Sequence, residues 1–214
     1  MNWNDHSKLE GKHSILSPSS PSWLNYSDES SDALYQRYIS QYSQTLGTAL
    51  HQFACERIRN RLKINAHEKN SLLAYLIKEG IPRDVIDMSY IYDNLMHYIN
   101  DGIGFGLDPE VMLYFSPNCF GTADTINFKK DFLRIHDYKS GRTPVHMEQL
   151  EVYAALFCFE YKVKPSDISM ELRIYQTDNL AIENPESSTI EAIMDKIVKE
   201  DKQLSYWRGE GYIL

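Results

Sequence analysis

Two aspartates and a lysine define the chemistry this chain can attempt. Asp124 lies in TAD, within a run rich in β-branched and aromatic residues, and Asp137 and Lys139 lie in HDYK at the end of the next such run. If the two runs pair as a hairpin, the carboxylates stand side by side. Mg2+ typically takes one or two carboxylates and keeps several waters, so that pair is a sufficient protein anchor. Side chains two apart on a strand share a face, which aims Lys139 at the cleft holding Asp137. An ammonium placed there can hold an attacking water and neutralise developing negative charge. Bound divalent metal, an activated water and a stabilised leaving oxygen are what phosphodiester hydrolysis requires.

Other residues extend the constellation. Gln149 and Tyr153 are four apart on a predicted helix and so lie on one face, one turn apart. His51 follows Gly47 by one turn in GTALH. A glycine inside a strong helix costs about 1 kcal/mol relative to alanine, so Gly47 points to a close approach by another segment. Glu56 falls five positions beyond His51 and turns away from its face. Glu110 precedes the first strand and could contribute a carboxylate, although an exposed loop acid is the default reading.

An acid in one strand, a second in the next and a lysine two positions on form the PD-(D/E)xK pattern. GTAD at 121–124, DYKSG at 137–141, QLEVY at 149–153 and the upstream GTALH at 47–51 follow the order and approximate spacing of RecB-like nucleases. HSILSPSSPSWLNY is similar to the opening of phage-type exonucleases of that superfamily. Over most of its length the chain thus resembles a phage or prophage RecB-like exonuclease. The resemblance implies a restriction-endonuclease-like core, and His51, Asp124 and Asp137 as metal ligands with the backbone carbonyl of Tyr138. It implies that Lys139 acts on the nucleophilic water and that Gln149 and Tyr153 orient the lysine and the phosphate. Mg2+ is the implied cofactor, with Mn2+ able to substitute. DNA is the implied partner, together with a phage single-strand annealing or recombination protein, and a homo-oligomer is compatible with the ring-forming relatives.

The elements that must position these residues are legible as patterns. Residues 1–32, rich in Ser, Pro, Asn and Asp, read as an irregular arm with apolar anchors at Trp3, Ile15 and Tyr26 among others. The arm carries one short helix that Ser19 or Ser20 caps and Pro21 starts. A single nuclease domain over 33–214 follows, beginning with a helical segment over 33–100. Leu34, Tyr38, Tyr42, Leu46, Leu50, Phe53 and Ile58 recur at helical spacing and predict an amphipathic helix from Ala33 to about Leu62. Further helices are predicted near His67 to Lys78 and Arg83 to Asn100. The glycines of GIGFG, Gly102, Gly104 and Gly106, read as a flexible turn, because a dinucleotide fingerprint needs a preceding strand. VMLYF, CFGTADTINF and DFLRIHDYK read as three strands, with NFKKDF as the hairpin between the last two. A helix from about Thr143 to Tyr161, a strand over 168–176 and a helix from about Thr189 to Ser205 complete the order. That order predicts an α/β fold with a central mixed sheet flanked by helices on both faces.

Bulk properties narrow the classes. The chain has 214 residues, 43% hydrophobic and 24% charged, ordinary for one globular domain. No apolar run approaches the roughly 18 residues of a membrane span, and the N-terminus lacks a signal-peptide pattern, so a cytoplasmic protein is expected. Cys55, Cys119 and Cys158 are scattered and read as buried free thiols. They cannot supply four thiolates, so no iron-sulfur cluster is expected. The net charge of −8 argues against a nucleic-acid binder, but Lys129, Lys130, Arg134, Lys139 and Arg142 form a basic strip within the acidic chain. There is no P-loop, so ATP-driven unwinding would need a partner. A catalytically inactive nucleic-acid-binding or adaptor protein with a nuclease fold is the alternative. The intact acids count against it, since they repel phosphate unless a cation sits between them. A small-molecule metallohydrolase would want more histidines than His51; His6, His13, His67, His97, His136 and His146 show no ligand spacing. His136, next to Asp137, should point to the opposite face of the strand.

Overall fold

Alternating burial along its strands organises the molecule. The computed structural model describes residues 14, 16, 18, 21–25, 31–141, 146–176 and 179–209. They fall into two units that divide between Thr45 and Leu46. In the first, a 3-10 helix at Pro21–Asn25 and the start of helix α1 (Ser31–Arg59) are tied by a hydrogen bond from Arg37 Nη1 to Ser22 Oγ at 3.1 Å. The expected caps Ser19 and Ser20, and the anchors Trp3, Ile15 and Tyr26, lie outside the described residues.

The second unit contains the rest of α1, then α2 (Lys69–Lys78), α3 (Met88–Phe105), β1 (Asp108–Ser116), β2 (Cys119–Lys129) and β3 (Phe132–Lys139). These are followed by α4 (Glu148–Tyr161), β4 (Ser169–Gln176), β5 (Asn179–Glu183) and α5 (Ser187–Trp207). The five strands form one sheet in chain order, antiparallel except for the parallel pair β3–β4. A parallel step needs a crossover, and α4 supplies it. Lys130 and Asp131 turn the β2–β3 hairpin with positive φ angles of 52° and 60°, the handedness that matches strand twist in a two-residue loop.

On β3, Leu133 and Ile135 join Leu150, Ala154 and Phe157 of α4 in one apolar cluster. His136 and Tyr138 take the other face and meet α3, with the Phe105 and Tyr98 rings each 5.7 Å away. The mixed sheet is thus flanked by helices on both faces, consistent with a restriction-endonuclease-like core. Among the described residues no helix is long and apolar enough to cross a membrane.

Several expectations need correction. GIGFG is not a turn: α3 runs through Gly102 and Gly104 to Phe105 and ends at Gly106, whose φ of 71° makes a left-handed cap. Gly102 is used because Ile58 of α1 packs against it, its Cδ1 3.0 Å from where a Cβ would stand. An additional strand, β5, lines the sheet edge beside β4. The predicted start of α4 at Thr143 lies outside the described residues, as does Arg142. The described residues of the basic strip do not converge on one cleft. Lys129 and Lys130 are exposed at the hairpin turn, whereas Arg134 is committed to Glu171 at 3.0 Å. Of the cysteines, Cys158 is buried while Cys55 and Cys119 are half-buried free thiols.

Candidate metal centre

The β2–β3 ladder is paired from Lys129↔Phe132 to Thr125↔His136, and the next residues outward are Asp124 and Asp137. There the Asp124 carboxylate accepts the Tyr138 backbone N–H at 3.2 Å. Helix α1 brings His51 to the same place, its Nδ1 3.2 Å from Asp124 Oδ2 and its ring edge-on to Tyr138. The DYKSG segment passes Gly47, with Ser140 Oγ 3.4 Å from its would-be Cβ, a contact that an alanine could also make, so the approach does not require the glycine.

Strand β1 adds a carboxylate. Glu110 falls opposite Asp124, between the register pairs Pro109↔Thr125 and Val111↔Ala123. It therefore sits within a strand, not in a loop ahead of one. One donor atom each from His51, Glu110 and Asp124 lies within 4.8 Å of the others, a group that can hold a metal ion. Glu110 has a left-handed φ of 57°, a conformation that costs a non-glycine residue about 1 kcal/mol or more. Partial burial, and then the Asp124 charge, raise its pKa. Like charges opposite each other on a sheet are destabilising, and a cation between them reverses the sign.

Asp137 is buried on the other side of the strand opening. Its Oδ1 accepts a hydrogen bond from Lys139 Nζ at 3.1 Å. Its Oδ2 lies 3.1 Å from the same nitrogen but, among the described residues, makes no hydrogen bond. Lys139 Nζ also donates to Gln149 Oε1 at 3.0 Å, so the first turn of α4 fixes the ammonium from above the sheet. Burial, and then the Asp124 charge, push the Asp137 carboxyl up to about 7 against the opposing pull of Lys139. For His51, burial opposes the charged form, but the hydrogen bond and charge of Asp124 outweigh it and raise the pKa.

Tyr153, one turn beyond Gln149, lies over β2. A Cβ on Gly121 would come within 3.0 Å of the Tyr153 ring, which accounts for the glycine in GTAD. His136 is on the opposite face, as expected, wedged between Phe105 and Tyr175. Burial, then Arg173 and Arg134, lower its pKa to about 3, so it stays neutral. The site as a whole joins His51 of α1, Glu110 of β1, Asp124 of β2, the Tyr138 backbone with Asp137 and Lys139 of β3, and Gln149 of α4, whereas the contact that places Tyr153 is with Gly121, three residues before Asp124.

The sequence profile of a family described as a protein of unknown function, DUF2800, matches residues 13–213. No curated protein and no solved structure matches the chain.

Proposed function

We propose that this chain, which belongs to the DUF2800 family of proteins of unknown function, is a divalent-metal-dependent deoxyribonuclease acting as an exonuclease in phage-type recombination or DNA processing. The observation that carries this is the single junction of the His51–Glu110–Asp124 group with a lysine clamped between Asp137 and Gln149. The donor chemistry fits a divalent ion. Carboxylates suit Mg2+ or Mn2+, the one imidazole is a ligand commoner on borderline ions such as Zn2+ or Fe2+, and the Asp137 carboxylate, ion-paired to Lys139, offers one more oxygen. His51, Glu110, Asp124 and Asp137 would hold the ion, with the Tyr138 carbonyl as the further oxygen implied by the resemblance. When bound, Mg2+ neutralises charge on the phosphate and on the leaving oxygen.

The chain's own groups do the positioning. Lys139 spends two of its three N–H donors on Asp137 and Gln149, which leaves one directed donor for the attacking water or a phosphate oxygen. Gln149 sets the direction of that ammonium, and Tyr153, whose ring lies against Gly121, is the residue that the resemblance assigns to orienting the lysine and the phosphate. A binding or adaptor module has no chemical need for a buried carboxylate paired to a lysine beside a second acid.

Purified wild-type protein is expected to degrade linear DNA in Mg2+ and to stop when EDTA is added. Asp124→Ala should reduce degradation to background, and Lys139→Ala should lower it by about 100- to 1,000-fold, with circular dichroism unchanged. Retention of wild-type activity by either folded variant would overturn the assignment.

A further inference from the structure

The β1–β2 ribbon carries a feature that the metal centre does not use. Val111, Leu113 and Phe115 of β1 pack toward α4, where the Phe115 and Phe159 rings stand 4.3 Å apart. Cys119 and Gly121 of β2 face the same way, Gly121 against Tyr153. Alternation therefore sends Met112 and Tyr114, and opposite them Thr122 and Phe120, to the other face. The register pairs Met112 with Thr122 and Tyr114 with Phe120.

Met112, Tyr114 and Phe120 are 61%, 47% and 57% exposed, and the Tyr114 and Phe120 rings lie 6.3 Å apart with planes only 29° from parallel. Single exposed apolar residues need no explanation, but a contiguous aromatic surface at a sheet edge does. Asp124 follows Thr122 by two positions, so the aromatic pair continues the line of the metal group about 13 Å along the strand. Arg59 of α1 is near enough to Glu110 to act on it electrostatically, which places a cation beside the same cleft.

We infer that Tyr114, Phe120 and Met112 form a stacking track for the bases of a single DNA strand whose backbone runs into the candidate metal centre. The inference rests on the nuclease reading and deepens it by naming the strand state of the substrate. Every base has a π-face, so an aromatic platform grips a single strand without reading its sequence, whereas a duplex keeps those faces stacked inside itself. Continuity with the carboxylate group selects this occupant over a peptide or a second copy of the chain, because neither needs a metal site at the end of its groove.

The test compares dT20 with the p-nitrophenyl ester of thymidine 5′-monophosphate, which is too short to reach the track, as Mg2+-dependent substrates. The wild-type preference for dT20, as a ratio of kcat/KM values, should fall about tenfold or more in Tyr114→Ala/Phe120→Ala, through KM. Tyr114→Phe/Phe120→Trp should preserve the ratio, since it keeps the stacking faces. An unchanged ratio in the alanine variant overturns the track while leaving the nuclease reading in place. So does a change in sedimentation mass at constant ratio, which would make the patch an interface between copies. Wild-type protein that hydrolyses neither substrate removes the nuclease reading itself, and the track with it.

Discussion

Asp137 binds its proton more tightly folded than unfolded, with a carboxyl raised to about 7 from an ordinary 3.8. Stabilisation from a raised acid is fully present below the unfolded value and is lost as pH climbs through the folded one. His51, also raised, acts in the same direction: its imidazolium strengthens the fold at low pH and that contribution disappears as the ring deprotonates. The metal-free protein should therefore lose thermal stability between about pH 4 and 8, across the window those shifts define. Asp137→Asn should flatten the decline, and Mg2+ at pH 8 should restore the wild-type Tm, because an ion that binds only the folded site stabilises it. Thermal melts at half-unit pH steps, with EDTA or Mg2+, measure this. A slope identical in wild type and Asp137→Asn would show that Asp137 does not titrate as described.

At the scale of elements, β2 and α4 meet closely where Gly121 lies against the Tyr153 ring. Alanine at Gly121 would place a methyl 3.0 Å from the Tyr153 ring, and that half-exposed ring can yield outward. Gly121→Ala is expected to change stability by less than about 1 kcal/mol while lowering kcat about tenfold through the displaced Tyr153. A kcat equal to wild type would make Tyr153 a packing residue only. The same elements explain what was legible beforehand. Asp124, Asp137 and Lys139 could be brought together on paper because strand alternation and a two-residue hairpin are local rules. Gln149 followed from one helical turn, although its bond to Lys139 could be expected only from the family resemblance. Glu110 could be named as an acid able to reach the site but not preferred to a loop residue, since its position depends on the register of a different strand pair and on a left-handed backbone that sequence does not announce. GIGFG misled for a related reason: Gly102 answers to Ile58, 44 positions earlier in the chain, and only the cap at Gly106 is a local signal. Strand β5 escaped because Leu180 and Ile182 face outward, so its ladder to β4 defines it and no buried alternation does.

For the whole molecule, a net charge of −8, with basic strip residues that do not converge among the described ones, would limit how the proposed nuclease holds DNA. Lys129 and Lys130 sit at the hairpin turn, the opposite end of β3 from Lys139, about 25 Å away along the strand. Arg134 is spent on Glu171 and on the Phe105 and Phe132 rings. Duplex grip comes mainly from many phosphate contacts, and the described surface does not assemble them. On the proposed reading, entry would rely on a bound ion, on Lys139 and Arg59 and on base stacking at Tyr114 and Phe120, which demands an unpaired strand. Ends of linear DNA fray and expose such a strand, whereas a relaxed covalently closed circle has none to offer. Linear duplex should accordingly be degraded to mononucleotides or short oligonucleotides, and the relaxed closed circle of the same sequence should persist until it is linearised. Gel analysis of both forms with equal protein and Mg2+ measures the difference, and cutting of the intact circle would make the enzyme an endonuclease that grips duplex DNA by some other surface.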